Sequence, residues 1–410
     1  MYFTDDNIFH QNLHGYRHGR STQTALLQMY DRWIKASSLG QVSGVVLLDL
    51  SAAFDLVDHC ILNTKLQIYD FDQDTRDWIQ SYLRGRKQSV WIDNCYSSFL
   101  DIEVGVPQGS NLGPLFFLIY YNDLPYTLDC YLDAYADDST LTATDKTIEA
   151  IGNKLSASCE KVSRWMDSNK LKLNAEKTHI LTVGTAQKLM RLPKKLEVHM
   201  NDIKLRESDA KCEMLLGISI QSNLKWGQTV TDLKTKLKKR LAGLLKLKYT
   251  LPFKVMKAVT EGIFNSILVY CLPVFGGCDK AELHSLQVLQ NRAAQIVTRS
   301  PPRTNRDLLF DKLHWLSVSQ LIAYHTTLAI FKIKSNGCPE YLNAMFKTNT
   351  AQGKIQLPKY SIELAEKSFT IRGSKLWNSL PCDLKKEAST GKFKKSLRKW
   401  VLLNVSRFAN

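Results

Sequence analysis

The sequence predicts an α/β (α+β) protein whose C-terminal part is mostly helical. Three features of the 410-residue chain support this. Strand-like and helical stretches alternate up to about residue 185, which is typical of a mixed domain. A leucine- and lysine-rich helix is predicted over residues 229–248. After a break at Ser300–Pro302, the apolar spacing is again mostly helical.

The first region combines a buried strand with several helices. Val45–Leu48 is a short apolar run rich in β-branched residues, which is typical of a buried strand. Ala25–Trp33 and Pro114–Leu124 are predicted helices, and Ser156–Met166 has the spacing of an amphipathic helix. We therefore expect an α/β or α+β domain here.

The second region begins near Leu196 with two predicted short strands, Glu197–Leu205 and Leu215–Ile220. Within Thr229–Lys248, leucines recur every three to four residues and lysines fill the positions between them. This spacing predicts an amphipathic helix with a basic outer face. That face is either simply solvated or contacts phosphates, and the total charge of the chain favours phosphates.

The charge of the chain indicates a polyanionic partner. The formal net charge is +16 and the pI is near 9.3, which favours nucleic acid or an acidic membrane surface. No apolar run approaches the ~20 residues needed to cross a bilayer, so we expect no membrane partner. The nine cysteines form no Cys-x-x-Cys pair, which argues against a zinc finger.

Two acidic motifs suggest a metal-dependent site. Asp49 directly follows the predicted strand, where an isolated charge is costly unless a cation, a polar partner or water meets it. The alternative role for Asp49 is a helix cap. Tyr135–Asp138 (YADD) places the adjacent carboxylates of Asp137 and Asp138 in a predicted tight turn, and divalent metal would compensate their charge. Each motif alone is weak, but together they fit a two-metal phosphoryl-transfer site.

Between these motifs lies Gly105–Pro114 (GVPQGSNLGP). Its Gly and Pro residues predict a fixed loop that leads into the helix starting near Pro114. Glycines there would let a backbone or a nucleotide approach closely. The alternative is an ordinary loop before a buried helix.

These motifs resemble those of a known family. Asp49 with Phe54, Gly105–Pro114 and Tyr135–Asp138 have the order and spacing of reverse transcriptase palm motifs. Further segments resemble the LINE-type enzymes: His14–Thr22, Trp78–Gln88, Asn169–Thr178, Leu216–Ile218, Leu224–Trp226, Leu313–Leu316 and Lys375–Pro381. The chain thus resembles a non-LTR (LINE-type, jockey-like) retrotransposon reverse transcriptase over nearly its whole length. The segments around Trp78 and Trp377 disfavour a group II intron or telomerase-like polymerase.

The resemblance implies a right-hand palm with partial fingers over residues 1–190, a helical thumb over 191–299, and a helical, basic C-terminal extension over 300–410. It implies an RNA-directed DNA polymerase, a nucleotidyltransferase that joins dNTPs to a primer 3′-hydroxyl. The implied partners are an RNA template, a DNA primer or target DNA, and dNTPs, with no other small-molecule cofactor than metal. Two Mg²⁺ ions are the implied metal, with Mn²⁺ as the alternative. The family implies an intracellular location, in cytoplasm and nucleus.

The resemblance also assigns roles to single residues. Asp49, Asp137 and Asp138 would bind metal and form the catalytic centre. Lys177 is a candidate general acid for the leaving pyrophosphate, and its alternative is a surface lysine. Phe54 is a candidate steric gate against the ribose 2′-hydroxyl, and its alternative is a core aromatic residue.

Other candidates would contact the nucleotide or the template. Gln108 and Gly109 are expected near the templating pair and the incoming nucleotide. Arg17 and Arg20 either touch phosphates or template, or are solvated loop residues. An endonuclease domain and the earlier fingers motifs have no counterpart before His14, so we expect an N-terminally truncated chain. This leaves an inactive, nucleic-acid-binding remnant as the alternative function.

Overall fold

The computed structural model describes residues 8–404 except 175, 202, 208–210, 350–352 and 359. Residues 1–7 and 405–410, at the ends of the predicted first and third regions, lie outside the described residues.

The chain divides into two compact units. Unit 1 comprises Met1–Ala25, Gln41–Val183 and Gln187–Lys211; unit 2 comprises Leu26–Gly40, Gly184–Ala186 and Cys212–Asn410. The predicted boundaries after residues 190 and 299 stay predictions.

Helices and strands alternate in unit 1, and helices predominate in unit 2. The strands are β1 Val42–Leu48, β2 Leu50–Ser51, β3 Lys87–Gln88, β4 Trp91–Ile92, β5 Cys95–Tyr96, β6 Leu100–Asp101, β7 Tyr131–Tyr135, β8 Asp138–Asp145, β9 Lys172–Leu173, β10 His179–Val183, β11 Glu197–Met200, β12 Ile203–Arg206, β13 Cys212–Leu215, β14 Ile218–Gln221, β15 Thr348–Asn349 and β16 Lys354–Ile355. The helices are α1 Thr22–Ser38, α2 His59–Ile68, α3 Gln73–Leu83, α4 Gly113–Tyr121, α5 Ile148–Ser168, α6 Ala186–Met190, α7 Gly227–Leu247, α8 Phe253–Thr260, α9 Ser266–Val269, α10 Leu272–Phe275, α11 Lys280–Thr298, α12 Arg306–Leu313, α13 Val318–Asn336, α14 Glu340–Met345, α15 Glu363–Glu366, α16 Phe369–Asn378, α17 Cys382–Lys385 and α18 Thr390–Leu403.

Unit 1 is built around a four-stranded antiparallel sheet with the order β10-β1-β8-β7. The central strand β1 pairs with neighbours on both sides, where Val45 faces Leu181 of β10 and Thr142 of β8. Strands β7 and β8 form a hairpin that closes at the pair Tyr135–Asp138. The predicted buried strand at Val45–Leu48 is therefore confirmed as the middle of the sheet.

Helix α5 packs against β1 through a glycine. A Cβ atom on Gly44 would lie only 2.4 Å from the Ile151 side chain and 2.8 Å from that of Leu155. The absence of a side chain at Gly44 therefore allows α5 to approach the strand closely. The predicted amphipathic helix at Ser156–Met166 is confirmed as the second half of α5.

Both predicted strands after Leu196 proved to be hairpins, so the single-strand predictions were wrong. Met200 pairs with Ile203 in β11–β12, and Leu215 pairs with Ile218 in β13–β14. The second turn has positive φ angles at Leu216 (46°) and Gly217 (81°), as tight two-residue hairpin turns require. The apolar pattern continues through Leu216 in this second turn, so periodicity alone did not reveal the second hairpin.

Unit 2 has its core between helices. The predicted helix Thr229–Lys248 is confirmed as α7, with its leucine stripe buried and most of its basic residues exposed. α7 packs against α11, and α13 packs against α16 and α18. The predicted α/β class with helical regions is confirmed. Of the helices that the structure describes, none combines the length and apolar character needed to cross a membrane.

Candidate active site

Three candidate carboxylates lie at one edge of the unit 1 sheet. Strand β1 ends at Leu48, and Asp49 follows it directly. Leu48 pairs with Ser139 of β8, so Asp49 and Asp138 both adjoin this last pair of the ladder. Asp137 stands next to Asp138 in the turn between β7 and β8. The register of the sheet therefore brings together residues that are far apart in the sequence.

The carboxyl group of Asp138 is influenced by both other aspartates. Partial burial raises its pKa above the usual range, and the charges of Asp137 and Asp49 raise it further. A divalent cation would stabilise such a group of carboxylates, because its charge offsets their repulsion. The donors are hard carboxylate oxygens, which suit ions such as Mg²⁺ or Mn²⁺ better than softer metals.

The three carboxylates are neighbours, but they do not form a complete metal-binding site. Within the described residues, no group of three or more His, Cys, Asp or Glu side chains has an arrangement that could hold a metal ion. The donor chemistry and the mutual repulsion of Asp49, Asp137 and Asp138 fit a divalent ion. Their assignment as ligands stays a prediction.

The acidic turn is supported by the segment around His14. Leu13 forms a parallel bridge with Ala134 of β7, and the His14 N–H donates to the Ala134 carbonyl (2.7 Å). A Cβ atom on Gly15 would lie 2.7 Å from the backbone nitrogen of Ala136, which has a φ of 58° in the turn. Gly15 is therefore a positioning residue that motif matching did not single out, although its place in the His14–Thr22 motif was a signal.

Arg17 and Arg20 make hydrogen bonds within their own loop. The Arg17 guanidinium donates to the carbonyls of His10 (2.7 Å) and Leu13 (3.0 Å). Arg20 donates to the carbonyl of Gln11. Both side chains are partly buried. These hydrogen bonds hold both side chains against their own loop, and their contact with phosphate or template stays a prediction.

Lys177 is connected through its local backbone to Asp49, the residue that follows β1. Its N–H donates to the side chain of Asn174 (3.2 Å), and the Asn174 N–H donates to the Asp49 carbonyl (2.9 Å). The Lys177 side chain is exposed. The side chain of Asn174 thus links the Lys177 backbone to the backbone of Asp49, while the role of Lys177 as general acid stays a prediction.

Phe54 is partly buried and lies between two aromatic rings. It stacks on Phe117 of α4 with ring centroids 4.5 Å apart and meets the edge of Tyr16 at 6.2 Å. Tyr16 is 58% exposed. One side of Phe54 therefore packs on the core while the other borders an exposed ring, so the structure leaves both predicted roles open.

The Gly105–Pro114 loop is attached to the turn that follows Asp49. The Val106 N–H donates to the Phe54 carbonyl (2.9 Å), and Nε2 of Gln108 donates to both carboxylate oxygens of Asp55 (2.8 and 3.1 Å). Gly105 has a φ of 89°, and a Cβ atom there would lie 2.7 Å from the Asp55 carbonyl. The structure thus brings Phe54 and Gln108 together, and Asp55 is a further neighbour that motif matching missed.

A cavity of about 900 Å³ lies beside this loop. Asp55, Arg86, Lys87 and Gln108 are among the residues that line it. Gly109 is exposed, has a φ of 79°, and would have no neighbour within 4 Å of an added Cβ atom. The loop therefore leaves open space next to two of the predicted nucleotide-contacting residues.

Comparison with known proteins identifies the family. The family model described as "Reverse transcriptase (RNA-dependent DNA polymerase)" matches residues 2–237, which is more than half of the chain. The chain belongs to the reverse transcriptase family. Members of this family generally depend on divalent metal ions, which agrees with the carboxylate edge of the sheet.

Relatives of this reverse transcriptase come from non-LTR elements. It is 28% identical over 335 residues to the "Probable RNA-directed DNA polymerase from transposon BS" of Drosophila melanogaster, covering 79% of this chain and 36% of the relative. It is 26% identical over 317 residues to the "RNA-directed DNA polymerase from mobile element jockey" of the same species, covering 73% and 34%. The chain thus spans about a third of the length of these relatives, and the predicted non-LTR, jockey-like resemblance is confirmed.

Solved structures of telomerases are also similar to this reverse transcriptase. Apo telomerase from Candida tropicalis matches 98% of this chain and 59% of its own, with a TM-score of 0.43 and 11% identity. Telomerase from Candida albicans in complex with a TWJ fragment of telomeric RNA matches 84% and 55%, with a TM-score of 0.37 and 12% identity.

Proposed function

We propose that this chain is the RNA-directed DNA polymerase part of a non-LTR retrotransposon protein. Its proposed reaction transfers a nucleotide from a dNTP to a primer 3′-hydroxyl, with an RNA template and a DNA primer or target DNA. The observation that carries the proposal is the register of β1 and β8, which sets Asp49 beside the Asp137–Asp138 turn. Membership of the reverse transcriptase family supports it.

The aspartates would hold the metal and orient the reacting groups. Asp49, Asp137 and Asp138 offer carboxylate oxygens for two divalent ions, for which we propose Mg²⁺ with Mn²⁺ as a substitute. Bound metal would supply activation of the primer hydroxyl and charge neutralisation on the triphosphate. The exposed ammonium of Lys177 could donate a proton to the leaving pyrophosphate.

Nucleotide selection would be the work of Phe54 and the loop attached to it. Phe54 stacks on Phe117, so its ring could not easily move away from a ribose 2′-hydroxyl. Gln108 lines the open cavity and the exposed Gly109 follows it in the loop, so a nucleotide would find room beside these two residues. We propose that Arg17 and Arg20, whose loop supports the acidic turn, contact phosphates or the template.

The remaining regions would hold the nucleic acid. We propose that residues 1–190 form the palm with partial fingers, residues 191–299 the thumb, and residues 300–410 the basic C-terminal extension. Helix α7 exposes Lys236, Lys238, Lys239 and Arg240, while its leucine stripe is buried. This face would contact phosphates of the duplex.

Primer extension on an RNA template tests the proposal. Asp49→Asn and Asp137→Asn remove a carboxylate charge without changing shape, and each should lower extension by at least about 1000-fold. Asp145→Asn is the matched control. Asp145 lies at the far end of β8, the strand that begins at Asp138, and forms an ion pair with Lys154. Extension should need Mg²⁺ or Mn²⁺ and stop with a chelator.

The outcomes separate the two functions. A wild-type chain that binds the primer–template but extends nothing would establish the inactive remnant. Equal activity of Asp137→Asn and Asp145→Asn would remove the acidic turn from the mechanism.

A further inference from the structure

Three helices of the C-terminal region lack acidic residues altogether. Neither aspartate nor glutamate occurs in α13, α16 or α18, although the chain contains 39 acidic residues among 410. The helices form one packed group, because α13 contacts both α16 and α18. Their basic residues are Lys332, Lys334, Arg372, Lys375, Lys392, Lys394, Lys395, Arg398 and Lys399. The group thus concentrates positive charge beyond the excess of the whole chain.

Apolar packing fixes the orientation of α18. Phe393, Leu397 and Val401 are fully buried on one side of the helix. The Phe393 ring stacks on Phe331 of α13, with centroids 3.8 Å apart. Arg398 donates to the His314 carbonyl, which attaches the helix at a second point. The opposite side of α18 is therefore held towards solvent.

The side held outward carries a stripe of lysines. Lys392, Lys395 and Lys399 are exposed and follow i, i+3, i+7 spacing, which places them on one face over ~10 Å of helix axis. Each strand of a duplex presents a phosphate every ~3.4 Å of its axis. The stripe therefore matches the length of a short stretch of phosphate backbone.

The charges on this stripe are not compensated within the described residues. Lys154, Lys161 and Lys204 of unit 1 each pair with a carboxylate at 2.6–2.8 Å. In the part of the chain that the structure describes, no ion pair involves the three stripe lysines. Lys395 and Lys399 are instead like charges at i, i+4, an arrangement that destabilises a helix unless an anion relieves it. If the face were only solvated, no interaction would offset this repulsion between Lys395 and Lys399.

We propose that the outer face of α18 binds the phosphate backbone of nucleic acid, as a contact separate from the carboxylate edge in unit 1. The partner is recognised by its phosphodiester charge, so an RNA or a DNA strand can supply it. Base edges would not be read, since lysine ammonium groups on an exposed helix face act as point charges. This contact concerns binding alone and does not require the chain to be an active polymerase.

The test is a salt titration of binding by the full chain. The triple variant Lys392→Ala, Lys395→Ala, Lys399→Ala is compared with the wild type on duplex DNA, duplex RNA and single-stranded RNA. On duplex DNA the slope of log affinity against log salt should flatten by up to about 2.7, or about 0.9 per lost contact. Affinity should fall at least tenfold at low salt. Loss on one probe only would identify the source of the phosphates.

The control variant Lys154→Ala, Lys161→Ala, Lys204→Ala removes the same charge from lysines that already have acidic partners. It should change the slope far less than the α18 variant. A variant with arginine at the three α18 positions should bind like the wild type, and equal melting temperatures exclude misfolding.

An unchanged slope on all three probes overturns the proposal. So does a loss of binding to anionic lipid vesicles without any loss on nucleic acid, because it would make the face a membrane contact. A wild-type chain that fails to extend primers leaves this titration interpretable, so failure of the proposed polymerase function is distinguishable from failure of this contact.

Discussion

At the scale of single residues, the candidate active site depends on neighbours outside its recognised motifs. Gly15 leaves room for the backbone of Ala136, and Asp55 holds the amide of Gln108. Neither residue bears the chemistry of nucleotide transfer. Gly15 adjoins the turn that contains Asp137, and Asp55 holds Gln108, so each contributes to the orientation on which the proposed site depends.

Replacing Phe54 tests the proposed steric gate. Phe54→Val should raise ribonucleotide incorporation relative to deoxynucleotide by about 10- to 100-fold, because the missing ring leaves room for the 2′-hydroxyl. The measurement is the ratio of kcat/KM for matched rNTP and dNTP. Phe71→Val, at another partly buried phenylalanine of the same unit, should leave the ratio unchanged. An unaltered ratio in Phe54→Val, together with lower stability, would make Phe54 a core residue.

The hydrogen bond between Gln108 and Asp55 predicts coupled effects on dNTP binding. Asp55→Ala and Gln108→Ala should each raise the KM for dNTP about fivefold, which corresponds to one hydrogen bond of ~1 kcal/mol. The double variant should be no worse than either single variant, because both remove the same interaction. Fully additive effects would show that Asp55 does not act through Gln108.

At the scale of elements, the basic face of α7 predicts the salt dependence of duplex binding. The variant Lys234→Ala, Lys238→Ala, Lys239→Ala should weaken binding to every sequence alike and flatten the salt slope by up to about 0.9 per lost phosphate contact. The assay is a titration with an RNA–DNA duplex. Asp49→Ala should bind at least as well as the wild type, because it loses a negative charge. If the slope does not change in the triple variant, the basic face of α7 is merely solvated and the thumb assignment is wrong.

At the scale of the whole molecule, unit 2 joins residues from opposite ends of the chain. Asp31 of α1 accepts a hydrogen bond of 2.5 Å from Oγ1 of Thr370, 339 residues away in sequence. Ser38 at the end of α1 accepts one from Ser361 (2.6 Å). Helix α1 precedes β1, the strand that ends before Asp49, in the sequence. The C-terminal region therefore takes part in holding the helix that precedes β1 in the sequence.

Asp31 makes the stability of the protein depend on pH. Burial raises its pKa, and the hydrogen bond from Thr370 and the charge of Lys35 offset this only in part. The folded protein therefore holds this proton more tightly than the unfolded chain. The stability contributed is fully present below the unfolded pKa and is lost as pH rises through the folded pKa.

The variant Asp31→Asn should therefore raise stability at pH 7 by on the order of 1 kcal/mol, with a gain that vanishes in acid. Thermal unfolding across pH measures this. Asp145→Asn, which removes the ion pair with Lys154, should give no such gain. A uniform loss of stability in Asp31→Asn at every pH would show that the carboxylate is needed in its charged form.

The sequence by itself determined the family, the fold class and the candidate chemistry. The strand before Asp49, the acidic turn and the amphipathic helix α7 are local patterns. Local periodicity and turn chemistry can be recognised in the sequence alone. The order and spacing of the motifs then pointed to a reverse transcriptase, which the family comparison confirmed. The hairpin of β13 and β14 was missed because its apolar pattern continues through Leu216 in the turn.

Only the tertiary structure decided which residues meet. The pairing of β1 with β8 sets Asp49 beside Asp138, and backbone hydrogen bonds attach Phe54 to the loop of Gln108. The contact between Asp31 and Thr370 had no signal in the sequence, because neither residue belongs to a motif. Such contacts depend on sheet register and helix packing, which arise from the summed burial of many side chains along the chain and not from any local pattern.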